Sequence, residues 1–540
     1  MTKMLRLWAG RAPLYLLIVL APLALRFALL PWVPVPSPHV HDEFGHLLVS
    51  ETLAAGRLAN PTHPLYRHFE TLYILQKPVY ASTYPLGQGI LLSTGKALFG
   101  HPWGGVLLGV SLMSLAIGWM LLACVPPLWA AAGAAIASIH YGLTYHWGNS
   151  YWGGSFCAFG GALLFGALCR LRKGPSKFMA FLVGVGWSIV WLIRPFESML
   201  PLLVSWGLIA FFVARDSQPR RRWFGPVVLI LLIQSATGVL TGLHNKAVTG
   251  SYFMLPYQLS QRLHGVPQTF YWQPPIPPPS VETPVQERMY WAQRKSKETA
   301  RNQPLFRIQK ILYTCWTYYL TPWYTIPLLL LIFARKDLYL RIGGGMLLTA
   351  LLVSATYPYF FTHYIAAYTC IIVFLIVRGL MKIAHWSPWG KAIGSYLALF
   401  LLFGGLAMGL RIVPLEPLIG FGPGVRQRPI RAQVSDWLKS AGDRHVVFVR
   451  YEPEHSIEEE WVYNAADIDA APIVWARVGD HLDSSEVVRY FQGRNFWIAD
   501  VSQGRARLSR YDPDVHPSPL EFVHDESSKR WALRSRLARE

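Results

Sequence analysis

Two carboxylates stand side by side at Asp42 and Glu43, directly after His41 and the first long apolar run of the chain. A carboxylate placed there has two kinds of work. It can cap a helix, whose first N–H groups lack internal partners and carry partial positive charge. Or it can take a proton, or hold a metal ion, beside a membrane. The segment that follows is dense in polar groups, among them Arg67, Glu70, Lys77 and Tyr84. Singly, each reads as a solvated loop residue; together they could line a polar pocket. A second pair, Arg194 and Glu197, falls between two apolar runs. Ionisable groups at such depth are costly, so they mark either function or a local ion pair closing a turn. Arginine suits a phosphate because its planar fork donates two hydrogen bonds. His363 and Tyr364 open a later apolar run on the same expected side.

The elements that must position these groups are mostly apolar. Of 540 residues, 52% are hydrophobic and 15% charged, with a net charge of +20. A soluble domain carries about 25% charged residues. The basic excess fits cytoplasmic loops under the positive-inside rule. No basic stretch interleaved with aromatic residues points to nucleic acid. The five cysteines all lie in apolar stretches, without metal-ligand spacing.

A membrane span needs about 20 apolar residues. Candidates start near Pro13, Trp103, Pro127, Ser150, Lys177, Phe196, Trp223, Ile311, Leu338, His363 and Ala392. The expected fold is therefore a polytopic α-helical membrane protein with about eleven transmembrane helices. Lys3, Arg6 and Arg11 precede the first run, which is too long for a signal-peptide core and reads as an uncleaved span. Residues 170–173, 215–222, 335–336 and 378–391 are short and basic, as inside loops should be, so the N-terminus is expected in the cytoplasm. Arg26 would then lie near the outer end of the first span and snorkel to the interface.

The membrane part covers residues 1–423. It carries a first outer loop at 34–100 and a second at 244–310. Phe44 to Leu58 has apolar residues at helical spacing and reads as an amphipathic helix lying on the membrane. Pro85 to Phe99 reads as a second short helix. In the second loop a proline-rich run from Gln273 must be extended, and a polar helix follows. Residues 424–540 change character. Strands are expected at 445–450, 472–477 and 495–500, with a helix between the last two at 484–492. This is the pattern of a small extracytoplasmic α/β domain with a largely parallel sheet.

One span, then a long outer loop opening on an acidic pair, resembles the GT-C glycosyltransferases. The likeness is greatest to their protein O-mannosyltransferase and aminoarabinose-transferase branch. Asp42-Glu43 and the helix after them are similar to that branch's first-loop acidic motif. Thr83-Tyr-Pro-Leu-Gly87, with Leu98-Phe99-Gly100 beyond it, is similar to its Lys/His-Pro-Pro-Leu-Gly segment, although Thr83 and Tyr84 replace the basic residue and first proline. The tail is not covered by the resemblance.

The resemblance implies a bacterial inner-membrane enzyme that moves a sugar from a polyprenyl-phosphate carrier to a glycan, lipid or protein hydroxyl on the outer face. The partners it implies are that donor, the acceptor and membrane lipids. It gives Asp42 the role of general base in an inverting transfer, with Glu43 in support. His41, Arg67, Glu70, Lys77, Tyr84, Arg194, Glu197, His363 and Tyr364 would bind substrate. It makes no cofactor certain; a divalent metal is an option, with no second acid just before Thr83 to hold it. Two other classes stay open. A lipid or solute transporter should place ionisable groups at mid-membrane and show inverted repeats. A scaffold binding a partner through its tail would not need Asp42.

Overall fold

The computed structural model describes residues 12–31, 33–143, 145–278, 284–331, 338–388, 391–409, 428–453, 455–478, 482–511, 520–525 and 530–535. Lys3, Arg6, Arg11, residues 335–336 and the expected domain boundary near Gly424 lie outside these.

Apolar helices occupy the stretches where spans were expected. Among the described residues three segments, Pro102–Leu121, Arg220–Thr249 and Thr362–Ala384, are long and apolar enough to cross a membrane. Shorter apolar helices include Pro13–Ala28, Ser155–Leu171, Lys177–Ile193, Met199–Arg215, Leu340–Ser354 and Ile393–Gly409. Many are apolar all round, and large side chains such as Leu203, Leu232 and Phe400 point outward from them. That is the pattern of helices that meet lipid on one side and each other on the other. Thr362–Ala384 is the most enclosed and packs in the centre of the bundle core.

Two helices change pitch. Pro127–Ala135 continues as a π-helix over Ile136–Leu143, and Pro304–Cys315 continues as another over Trp316–Leu320. The two π segments meet. His140 Nε2 donates to the Tyr318 carbonyl at 2.9 Å, and the Tyr141 hydroxyl donates to the Tyr319 carbonyl at 2.9 Å.

Arg26 does not snorkel. It is buried; its Nε donates to Asn149 Oδ1 at 2.9 Å, and its two Nη atoms donate to the carbonyls of Val33 and Pro34. Backbone acceptors lie within its reach, so it ties the end of the first helix to the outer connection instead.

The first long loop forms helices His41–Ala54 and Leu86–Phe99, joined by a segment holding a two-stranded ribbon, β1 (Ile74–Leu75) and β2 (Ala81–Ser82). The helices pack closely because Gly89 has no side chain: a Cβ there would collide with Val49. Helix His41–Ala54 was expected to lie on lipid. Instead Phe44 and Leu48 join Val446, Phe448 and Tyr463 of the tail in one core, while Leu47 packs toward Leu92 and Trp103. The apolar face is covered by protein because the tail offers a complementary one.

The tail holds a six-stranded sheet of order β4-β3-β5-β6-β7-β8. β3 (His445–Tyr451) runs parallel to both β4 (Ile473–Arg477) and β5 (Asn495–Ser502), as the pattern predicted. β6 (Arg505–Arg510), β7 (Leu520–Asp525) and β8 (Arg530–Ser535) add an antiparallel meander, so the sheet is mixed rather than largely parallel. Helix Ser484–Tyr490 lies between β4 and β5.

The tail is stapled to the first loop by polar contacts as well. The Tyr80 hydroxyl donates to the Asn464 carbonyl at 2.9 Å, and Glu51 Oε2 accepts from Ala466 N–H at 3.0 Å. The polar helix Pro284–Asn302 of the second loop crosses both pieces. Gln286 donates to the Thr71 carbonyl and Arg288 to the His455 carbonyl, each at 2.6 Å.

Candidate active site

The two adjacent carboxylates have opposite fates. Glu43 is 1% exposed and its oxygens face backbone donors. Oε2 accepts from the N–H groups of His39 (2.9 Å) and Val40 (3.2 Å), and Oε1 from the N–H of Tyr151 (3.1 Å). It caps the helix and ties it to the connection after the π segment. That corrects its expected part in the chemistry: a carboxylate already holding three N–H groups is a positioning residue.

Asp42 sits in the first helical turn, on the positive end of the helix dipole. Its Oδ1 receives the Tyr84 hydroxyl and faces His41 Nε2 at 3.0 Å. Its Oδ2 has no protein partner among the described residues, and 23% of the side chain is exposed. Burial pushes the Asp42 pKa up. The charge and hydrogen bond of His41, the Tyr84 hydroxyl and nearby His363 outweigh that, so the group lies below the usual carboxylate range. Asp42 is thus a carboxylate held ionised and aimed by one oxygen, with the other open.

Tyr84 reaches Asp42 because residue 45 is glycine. A Cβ there would come within 2.5 Å of the Tyr84 ring. His46, one helical turn beyond Asp42, lies against the same ring at 4.6 Å. It is 5% exposed. Burial lowers its pKa, Asp42 opposes this and Arg194 adds to it, leaving it at about 4 and the ring neutral. His41 stacks on Tyr73 at 4.5 Å, and the Tyr73 hydroxyl accepts from Gln293 of the second-loop helix.

Next to this group opens a cavity of about 290 Å³. Helix Lys177–Ile193 ends at Arg194, which lines it. The Arg194 guanidinium lies over the Tyr364 ring at 5.0 Å, and its Nε has no protein partner among the described residues. Glu197 also lines the cavity, but no ion pair joins it to Arg194 among the described residues. Trp191, Leu192 and Ile193 supply an apolar wall; His46, Thr83 and Tyr84 a polar one; Tyr257 and other second-loop residues close a third side. His363 is buried, with its ring 5.7 Å from that of Trp152, and bears electrostatically on Asp42.

Of the expected site residues, Tyr84, Arg194, Glu197 and Tyr364 line the cavity; Asp42 and His41 adjoin it through Tyr84, and His363 through Tyr364. Arg67, Glu70 and Lys77 do not line it and are held elsewhere. Lys77 Nζ donates to the Tyr66 hydroxyl at 2.8 Å, Arg67 Nε to the same oxygen at 3.4 Å, and both side chains are exposed. The Glu70 carbonyl accepts from Arg477 Nε and Nη2 at 3.2 and 3.0 Å. Turn Tyr66–Phe69 is drawn toward the tail, where His68 Nδ1 donates to the Arg477 carbonyl at 3.2 Å. His46, Tyr73, Asn245 and Tyr257 went unread. His46 had a signal, four residues after Asp42 and so on the same helix face; the others are joined to the site only by tertiary packing.

A divalent ion does not fit these residues. Among the described residues no three His, Cys, Asp or Glu side chains converge. Glu43 is committed to backbone N–H groups, and Asp42 Oδ1 to Tyr84 and His41.

No family model matches this chain, and no curated protein matches it. Solved structures do. The Archaeoglobus fulgidus oligosaccharyltransferase in complex with Zn and sulfate aligns with a TM-score of 0.50 and 11% identity, over 90% of this chain and 67% of that one. The same enzyme in the apo form aligns at 0.47 and 10%, over 81% of this chain, which spans only 62% of that one. ArnT from Cupriavidus metallidurans bound to undecaprenyl phosphate aligns at 0.46 and 14%, over 90% of this chain and 92% of that one. The first of these alignments shows that the chain shares the fold of that oligosaccharyltransferase.

Proposed function

We propose that the protein is a glycosyltransferase that moves a sugar from a polyprenyl-phosphate carrier to an acceptor hydroxyl on the extracytoplasmic face of the membrane. One observation carries the reading: an ionised carboxylate with a free oxygen, Asp42, beside an amphipathic cavity that holds an arginine. A lipid-linked donor needs such a surface, apolar along Trp191 to Ile193 for the chain and cationic at Arg194 for the phosphate.

The chemistry follows from these residues. Asp42 Oδ2 accepts the acceptor's proton as the acceptor oxygen bonds to the anomeric carbon. The bond from that carbon to the phosphate oxygen breaks, and polyprenyl phosphate leaves carrying the electron pair. Arg194 stabilises the charge that develops there. A single displacement inverts the anomeric centre. Tyr84 and His41 hold the base in place, and neutral His46 adds no competing cation. In this reading the chain spans the membrane eleven times, with residues 34–100, 244–310 and the tail outside. The donor, the acceptor and membrane lipids are its partners.

The test is sugar release from polyprenyl-phosphate sugars by the purified protein in native-like membranes, with the anomeric configuration of the product read by NMR. Inverted product supports the reading. Saturable uptake of lipid or solute without sugar release would instead make the protein a transporter.

A further inference from the structure

The part of the cavity wall contributed by the second outer loop differs from the rest. It is built largely of amides. Gln258 Oε1 accepts from Leu255 N–H at 3.1 Å, Gln273 Oε1 from Phe270 N–H at 3.1 Å, and Gln261 Oε1 from the Thr269 hydroxyl at 3.4 Å. Each carboxamide oxygen is thus held by the loop itself, which leaves the three Nε2 groups as donors along the cavity. Beside them Asn245, at the end of helix Phe224–Thr249, is 4% exposed. Its Nδ2 donates to the Tyr252 carbonyl at 3.0 Å, while its Oδ1 is buried without a partner among the described residues. Thr83 Oγ1 and His46 Nδ1, also lining the cavity and more than nine-tenths buried, lack partners there too.

A buried polar atom without a partner is costly, and a ligand's hydroxyl can recover that cost. Here donors and acceptors stand together with no formal charge. The cavity's charges, on Arg194 and Glu197, come from a different connection, the one after helix Lys177–Ile193. We infer that Asn245 and the glutamines of the second outer loop form the subsite for an uncharged, hydroxyl-rich sugar ring, with Arg194 left to the phosphate. The inference rests on the transferase reading and names its donor class. An ammonium or a carboxylate on the ring would be buried among amides already anchored by the loop, with no counter-charge on that wall.

The test uses the full-length protein in lipid nanodiscs with three sets of polyprenyl-phosphate donors. One carries neutral hexoses and pentoses, one an amino sugar, one a uronic acid. Neutral donors should be used with kcat/KM at least ~100-fold above the charged ones, the discrimination expected when a site built for hydrogen bonding meets the wrong group. Gln273→Glu keeps the oxygen that accepts from Phe270 N–H and removes the Nε2 donor; it should raise KM for the neutral donor ~10-fold and leave thermal unfolding in place. Charged donors used as well as neutral ones, in a reaction that still requires Asp42, would overturn this inference alone. An unchanged KM in Gln273→Glu would overturn the assignment of these amides to the sugar. No release from any donor would overturn the transferase reading and this inference with it.

Discussion

Asp42 and Glu460 are both carboxylates that accept a hydrogen bond from a tyrosine hydroxyl, Tyr84 in one case and Tyr451 in the other. Their surroundings then part. Glu460 Oε1 also accepts from the N–H groups of Trp461 (3.1 Å) and Val462 (2.9 Å), and Oε2 meets Arg477 Nη2 at 2.8 Å. Its side chain is 1% exposed, and Arg477 reaches on to the Glu70 carbonyl of the first loop. Burial raises the Glu460 pKa, but Arg477 and the hydrogen bonds leave it below the ordinary value. Both groups are therefore held ionised. Only one of them has an oxygen left over. Saturation and exposure, not charge, separate the carboxylate that holds the tail to the loop from the one that can take a proton.

This contrast can be broken from either side. Glu460→Gln should cost about 3–5 kcal/mol of stability, because it leaves the Arg477 charge buried without its partner. The measurement is a denaturation midpoint in detergent. An unchanged midpoint would mean that the tail does not depend on this pair. Arg194→Gln should leave that midpoint in place and lower kcat by about 10²-fold, the scale for losing one group that stabilises developing charge. An effect on stability alone would return Arg194 to a structural part. Tyr84→Phe keeps the ring beside Gly45 and removes one hydrogen bond to Asp42. A loss of ~10-fold in kcat/KM is expected, roughly the worth of one hydrogen bond to a charged group.

His46 gives a pH test. Its folded pKa is lowered to about 4 from an ordinary value of 6.5. Between these the unfolded chain binds a proton that the folded chain does not. Its effect is absent above pH 6.5, and stability falls as pH drops from there toward 4. His46→Gln should flatten that part of the stability–pH curve; a curve of unchanged slope would mean that His46 titrates normally. Lys77→Ala is the smallest change, within about 0.5 kcal/mol in stability and without effect on turnover, since the side chain is exposed on the Tyr66 ring.

The same contrast explains what could be read from the sequence. Apolar runs of span length located the membrane helices, because hydropathy acts locally. The acidic pair was visible, and so was its ambiguity between capping and catalysis. Its resolution was not visible: Glu43 is claimed by Tyr151 N–H, more than a hundred residues away, and Asp42 by Tyr84 across a glycine contact. Arg67, Lys77 and Glu70 looked like site residues because they share the loop with Asp42. Sharing a loop does not bring a residue to the site: Lys77 and Arg67 meet the Tyr66 hydroxyl, and the backbone at Glu70 is held by Arg477 of the tail. The mixed sheet was missed for a similar reason. β6 and β8 carry arginines and β7 carries Glu521, His524 and Asp525, so none reads as a long apolar run, and pairing rather than hydropathy defines them.

The most direct test of Asp42 as the base is single-turnover sugar release by wild type and Asp42→Asn, with equal unfolding midpoints as the control for folding. The asparagine keeps the shape and removes the proton acceptor. A loss of about 10³-fold or more, within the range of general-base catalysis, is the predicted result. Equal rates in the two proteins would take Asp42 out of the chemistry.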